Sequence, residues 1–93
     1  MKKPNIIMVL LDGARWDRLE KSNEFQKIVS EGTLLNNVNT AIPYTIGSVN
    51  ALFSGKYGKD NGIDAYYKMF RLKESVKILP EFLKELNYFT TCD

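Results

Sequence analysis

Three side chains in this sequence combine a reactive type with a favourable position: Asp12, Thr45 and Ser48. Thr45 opens the segment TIGSVNALFSG, whose apolar residues repeat at helical spacing, and Gly47 follows two residues later. A hydroxyl at the mouth of a helix, near a glycine that lets a ligand approach the backbone, can offer a nucleophile to an anionic group. Thr45 is therefore a candidate nucleophile. The alternative is a helix N-cap, the usual role of a threonine before an apolar helical run.

Asp12 follows the apolar run IIMVLL at residues 6–11. In open α/β sheets, ligands collect at the carboxyl ends of strands, and a carboxylate at such an end can hold a divalent cation. The alternative is a turn, because Gly13 comes next and Asp-Gly is a common turn pair. Arg15 could pair with Asp12, with Asp17 or with a substrate oxyanion, and the spacing does not choose among these three partners.

Three segments have the composition of β-strands. Residues 6–11 form a continuous apolar run that predicts a central strand covered on both faces. A second strand is predicted at residues 33–38, and residues 88–92 (YFTTC) predict a third.

Helices are predicted between these strands from apolar spacing and from glycine and proline positions. They are expected around residues 25–29, after Thr45 with an end near Gly55, and around residues 79–86, where Pro80 falls in the first turn. The alternation of strands and helices favours an α/β three-layer sandwich with a largely parallel central sheet, built as one domain over residues 1–93.

Two stretches show no clear period. Residues 14–21 are charged and predict a loop or a short turn. Residues 58–71 predict a loop with some aromatic packing from Tyr66, Tyr67 and Phe70.

Composition narrows the possible functions. The chain is 44% apolar and 26% charged, as in ordinary globular proteins. Its net charge of +2 arises from residues scattered along the chain, so we expect no nucleic-acid partner. The longest apolar run is too short for a membrane segment or a secretory signal, which predicts a cytoplasmic location. The single cysteine, Cys92, excludes an internal disulfide and is expected to be a buried thiol.

The two segments PNIIMVLLDGARWDRL and TIGSVNALFSGKYGKDNGI resemble the N-terminal part of sulfatase-like enzymes of the alkaline phosphatase superfamily. Asp12 matches the metal-binding aspartate after the family's first strand. The family spacing of ten residues before Gly55 puts Thr45 at the nucleophile position. The segment LPEFLKELNYFTTC resembles the helix and strand that come next. The family also has a short element made of a small residue, Gly, a basic residue and Tyr, with Asn-Gly after it. This element matches Ser54, Gly55, Lys56, Tyr57, Asn61 and Gly62.

Departures from the family pattern narrow the implied activity. Sulfatases place a cysteine or serine, matured to formylglycine, where this chain has Thr45, and they have proline and arginine where it has Gly47 and Val49. Threonine cannot be converted to formylglycine. The pattern therefore resembles the superfamily's threonine members, which are phosphodiesterases, nucleotide pyrophosphatases and phosphoethanolamine or glycerophosphate transferases. A single Asp12 in place of paired aspartates favours the same group.

The resemblance implies a metal-dependent hydrolase of phosphate (or sulfate) esters. Asp12 and Thr45 would bind a divalent metal, zinc or manganese in preference to calcium or magnesium. The bound metal would lower the pKa of the threonine hydroxyl. Ser48 and Arg15 would bind a small-molecule phosphate or sulfate ester, with the backbone amides of residues 46–48 facing the anion. Attack by the hydroxyl would give a phosphothreonine intermediate, released to water or to an acceptor alcohol.

The family's remaining metal ligands are mostly Asp and His in a region downstream of such a segment, and this sequence has no histidine. We therefore expect the 93 residues to be a fragment of a longer protein, inactive alone and prone to self-association through an exposed sheet edge. The alternative is a non-catalytic α/β binding or assembly module, in which Asp12 is a turn residue and Thr45 an N-cap.

Overall fold

The computed structural model of this chain describes residues 2–64 and 71–92. Tyr66, Tyr67 and Phe70, for which aromatic packing was predicted, lie outside the described residues. The described ranges contain the helices α1 (Trp16–Leu19), α2 (Asn23–Glu31), α3 (Thr45–Ser54), α4 (Gly58–Asn61) and α5 (Leu79–Glu85).

The predicted three-layer α/β sandwich is wrong, because no residue within 2–64 or 71–92 belongs to a strand. The segments 6–11, 33–38 and 88–92 are neither helical nor paired in a sheet. An apolar run indicates a preference for burial, but a strand is stable only when neighbouring strands satisfy its backbone hydrogen bonds. The side chains of residues 6–11 instead keep 49–88% of their surface exposed. Composition alone therefore gave the wrong element type here.

The chain divides into two compact units, Met1–Val38 and Asn39–Asp93. The first unit contains α1 and α2. Ser22 caps α2, because its Oγ accepts a hydrogen bond of 3.3 Å from the amide of Phe25. The Trp16 and Phe25 rings meet edge to face, with centroids 5.8 Å apart and planes at 86°. No residue described between 2 and 38 is buried, so this unit has little core of its own.

The second unit is built on α3, which packs against α4 and α5. Its apolar core centres on Ile63 and Val76, whose exposed fractions are 5% and 7%. Gly58 is buried at the start of α4, where a Cβ atom would overlap the carbonyl oxygen of Ile63 and lie 2.9 Å from the Cα of Asp64. Glycine at this position therefore permits close backbone packing.

The predicted helices are confirmed. α3 begins at Thr45 and ends at Ser54, and its C-cap is Gly55, whose φ of +63° is the left-handed conformation that favours glycine. α5 carries Pro80 in its first turn, as predicted, where the missing amide hydrogen costs nothing. Within the two stretches predicted as loops, short helical segments form at α1 and α4. Cys92 is exposed, so the prediction of a buried thiol is wrong: it lies in the irregular segment after α5.

Candidate functional site

Thr45 is the first residue of α3 rather than its cap. The N-cap is Tyr44, whose backbone is extended, and no side chain caps the helix there. The N-cap alternative for Thr45 is therefore wrong. The Thr45 side chain is exposed at the start of a ten-residue helix. This position leaves it accessible to a ligand, and its role as nucleophile stays a prediction.

The first turn of α3 offers fewer backbone donors than the sequence predicted. The amide of Ser48 donates to the carbonyl of Tyr44 over 3.0 Å, which is the first hydrogen bond of the helix. The amides of the first three helical residues have no carbonyl within the helix to bond. The amide of Ser48, one of the three predicted at residues 46–48 to face the anion, is therefore already bonded within the helix.

The hydroxyl of Ser48 lies 3.0 Å from that of Thr40, which in turn donates to the carbonyl of Ile42 over 3.0 Å. A hydroxyl carries one hydrogen, so a Thr40 that donates to Ile42 accepts its second bond from Ser48. In that arrangement Ser48 presents lone pairs to its surroundings, and it must give up the bond to Thr40 to donate to an anion. Nothing in the sequence pointed to Thr40, because its contact with Ser48 depends on the path of the irregular segment before α3.

Gly47 faces protein rather than a ligand. It is buried, and a Cβ atom there would lie 2.8 Å from Cγ2 and 2.9 Å from Cδ1 of Ile42, and 3.0 Å from Cε2 of Tyr44. The segment before α3 thus folds against the helix where Gly47 has no side chain. The interpretation of Gly47 as a point of ligand approach is wrong.

Asp12 and Arg15 belong to the first unit. Asp12 and Gly13 form a turn, and the φ of Gly13 is +67°. Arg15 forms a forked ion pair with Asp17, with Nε 2.9 Å from Oδ1 and Nη2 2.7 Å from Oδ2. Of the three partners open to Arg15, the structure gives Asp17. Both side chains are more than half exposed, so the pair contributes at most about 1 kcal/mol and can exchange for another anion.

The described residues do not make a complete metal site. Within 2–64 and 71–92, no group of three or more His, Cys, Asp or Glu side chains could hold a metal ion. Protein sites for divalent metals use at least three ligands as a rule. Asp12 and Thr45 as metal ligands therefore stay a prediction.

The motif that carried the family resemblance has a structural role here. Asn61 is fully buried, and its Nδ2 donates to the Ser54 hydroxyl at 3.2 Å and to the Lys56 carbonyl at 3.1 Å. Its Oδ1 accepts from the amide of Ile63 at 2.8 Å. We call Ser54, Lys56, Asn61 and Ile63 the Asn61 cluster. It ties the end of α3 to the segment that follows α4.

These hydrogen bonds explain why positions 54 and 61 hold Ser and Asn, without a catalytic role for either residue. Ser54 Oγ also donates to the carbonyl of Asn50 at 2.6 Å. Lys56 enters the cluster through its backbone, and its side chain, like that of Tyr57, is exposed. The exposed Lys56 and Tyr57 side chains remain available for binding.

Searches against protein-family profiles, curated proteins and solved structures found no match to this chain. Among the residues that the structure describes, no helix combines the length and apolar character needed to cross a membrane. The resemblance to sulfatase-like enzymes therefore rests on the motif residues alone.

Proposed function

We propose that this protein acts on phosphate esters, as a hydrolase or phosphotransferase with Thr45 as its nucleophile. The observation that carries the proposal is the position of Thr45, an exposed residue, at the start of α3. The positive end of the helix dipole and the amides of the first turn favour an anionic group at this point. The ten-residue spacing from Thr45 to Gly55 supports the same assignment.

In the proposed reaction, Thr45 Oγ1 attacks the phosphorus atom of the ester. A new P–O bond forms as the bond to the leaving oxygen breaks, and the hydroxyl proton of Thr45 leaves with the departing alcohol, which gives a phosphothreonine. Water or an acceptor alcohol then takes the phosphoryl group. Amides at the start of α3 stabilise the negative charge on the non-bridging oxygens, because their direction is fixed by the helix before the ester arrives.

We also propose Asp12 in the first unit, and separately Thr45 in the second, as candidate ligands for a divalent metal, zinc or manganese in preference to calcium or magnesium. Carboxylate and hydroxyl oxygens suit such ions chemically. Within residues 2–64 and 71–92 no group of three or more His, Cys, Asp or Glu side chains could hold a metal ion, so no step of the reaction is derived through the metal.

The proposed substrate is a small-molecule phosphate ester in a cytoplasmic setting, with a sulfate ester as the second choice. Threonine at the nucleophile position favours phosphate, since it cannot become formylglycine. The scattered charges favour a small molecule over nucleic acid.

Variants of the protein expressed from its complete gene test the nucleophile. We expect Thr45→Ala to lower hydrolysis of an aryl phosphodiester by roughly 10³-fold or more, whereas Thr45→Ser, which keeps the hydroxyl, retains measurable turnover. Thr33→Ala is the matched control, because Thr33 is an exposed threonine outside the helices. Full activity in the Thr45→Ala variant would exclude Thr45 as nucleophile. An aryl sulfate assayed in parallel decides between the two ester classes.

A second candidate function, a non-catalytic binding or assembly module, is favoured by residues 6–11. Six consecutive apolar side chains there are exposed, with Ile7 at 88% and Val9 at 76%. Such a run, uncharged and free of proline, is prone to pair with another chain. Sedimentation velocity over a range of concentrations should show association that Ile7→Lys abolishes. The control Leu35→Lys replaces a side chain of similar exposure (75%) outside the run and should change nothing. A monomer at all concentrations would remove this candidate.

A further inference from the structure

The most deeply buried polar residue of the described chain, Asn61, is followed directly by Gly62. Asn-Gly is chemically the least durable pair of residues containing asparagine, because glycine leaves the following backbone nitrogen unhindered. That nitrogen can attack the side-chain amide carbon when the chain is free to adopt the required geometry. The fold thus depends on a dipeptide that is intrinsically prone to deamidation.

In the folded chain, hydrogen bonds restrain both reacting groups, the side-chain amide of Asn61 and the backbone nitrogen of Gly62. The three hydrogen bonds of the Asn61 side chain fix the amide carbon, and the backbone carbonyl of Asn61 accepts from the amide of Lys73 at 2.9 Å. The attacking nitrogen of Gly62 donates its hydrogen to the carbonyl of Gly58 at 2.8 Å. Ring closure requires the Asn61 side chain to rotate and the Gly62 amide to lose its hydrogen. Several of these bonds must therefore break first.

Glycine at position 62 cannot readily be replaced by a residue that would slow deamidation of Asn61. Its φ is +97°, a conformation that side chains other than hydrogen rarely adopt. An added Cβ would also lie 3.1 Å from both the carbonyl oxygen of Arg71 and Cγ of Lys73. Asn61 is equally constrained, because both its donors and its acceptor are used. The local fold therefore retains Asn-Gly for structural reasons.

We propose that Asn61 is a deamidation site which the folded second unit protects, and whose modification makes opening of that unit irreversible. The Gly62 nitrogen forms a bond to Cγ of Asn61, the Cγ–Nδ2 bond breaks, and ammonia leaves with the hydrogen of the Gly62 amide. Water then opens the cyclic imide at either carbonyl and gives aspartate or isoaspartate. No oxidant or reductant takes part.

Either product disrupts the Asn61 cluster. An aspartate places a carboxylate within reach of the Lys56 carbonyl and the Ser54 hydroxyl, where Asn61 has an amide donor to both. The two donors are lost, and a buried negative charge is placed against the carbonyl oxygen of Lys56, which is costly. An isoaspartate lengthens the backbone by one carbon and shifts Ile63 and Gly62 from their present partners. The modified chain therefore cannot refold to the same local structure with the same stability.

The test compares the rate of modification at Asn61 in folded and unfolded protein. The 93-residue chain is incubated at mildly alkaline pH with and without urea, and peptides are analysed by mass spectrometry and for isoaspartate. We expect deamidation in urea to be at least about tenfold faster, each tenfold corresponding to about 1.4 kcal/mol of opening free energy. Ser54→Ala, which removes one partner of Asn61, should raise the rate without urea. Ser30→Ala, an exposed serine in α2, should not.

Equal rates with and without urea would overturn the protection, provided that circular dichroism shows helical structure in the sample without urea. Asn61→Asp represents one product. It should lower the thermal midpoint clearly below that of the unmodified chain, and an unchanged midpoint would overturn the claim of irreversibility.

Discussion

At the scale of single residues, Asn61 is the group on which the second unit depends most. A side-chain amide has two donor hydrogens and one acceptor oxygen, and here the amide bonds to a hydroxyl, a carbonyl and a backbone amide. Removal of this fully buried side chain leaves its hydrogen-bond partners unsatisfied, a loss greater than the net value of the bonds themselves.

We expect Asn61→Ala to lower the free energy of unfolding by about 2–3 kcal/mol, measured by urea denaturation with circular dichroism. Asn50→Ala is the matched control. The Asn50 side chain donates to the carbonyl of Ile46 within its own helix, and alanine is the better helix former, so the effect of Asn50→Ala should be within about 0.5 kcal/mol. A similar loss in both variants would contradict the special role of Asn61.

At the scale of elements, the longer helices α2, α3 and α5 were predictable, whereas the short helices α1 and α4 and the remaining described structure were not. α2, α3 and α5 each carry local signals that do not depend on the rest of the chain: Ser22 before α2, Gly55 after α3, and Pro80 within α5. Residues 6–11 depend on partners elsewhere, which composition cannot supply. In the same way, Thr45 was identified as the start of a helix, whereas the bond between Ser48 and Thr40 results from the path of the chain before α3.

Gly58 offers a test of the packing between α4 and the segment after it. The Cβ of Gly58→Ala would overlap backbone atoms of Ile63 and Asp64, which cannot rotate away, so we expect a loss of about 1–3 kcal/mol in urea denaturation. Gly47→Ala is the control. Its Cβ meets side-chain atoms of Ile42 and Tyr44 that can move, and the gain in helix propensity offsets part of the strain, so its loss should be smaller. The reverse order would contradict the packing described.

The ion pair between Lys77 and Glu85, at the two ends of α5, can be tested by its dependence on pH. Glu81 accepts from the amide of Ile78 at 2.8 Å, and Lys77 pairs with Glu85. The hydrogen bond to Glu85, aided by the charge of the same carboxylate, raises the pKa of Lys77 above 10.5. A raised pKa means that the pair stabilises the folded state below about pH 10.5 and that this contribution is lost as the pH rises through the Lys77 pKa. In Glu85→Gln, NMR titration should show the pKa of Lys77 closer to 10.5. An unchanged pKa would show that the pair does not form in solution.

At the scale of the whole molecule, stability should be distributed unevenly along the chain. Buried residues occur in the described part of the second unit and not among residues 2–38. Small cores stabilise a fold only marginally, and opening free energies follow local burial and hydrogen bonding.

Hydrogen exchange followed by NMR tests this distribution. We expect the slowest amides to be those bonded in or near the Asn61 cluster, namely Gly62, Ile63, Lys73 and Val76. The amides of α2, in a unit with no buried residue among 2–38, should exchange at least about tenfold faster. Equal protection in both groups would show that the two units open together.

Lys56 joins the Asn61 cluster through its backbone. Positions that tolerate substitution should therefore lie between intolerant ones in the segment from Ser54 to Gly62. In a library selected only for folding, positions 54, 58, 61 and 62 should be intolerant, whereas positions 56 and 57 should accept most residues. Selection of the same library for activity adds a second profile. Any intolerance that appears at Lys56 or Tyr57 only under selection for activity then marks a contribution to chemistry, separated position by position from the requirements of the fold.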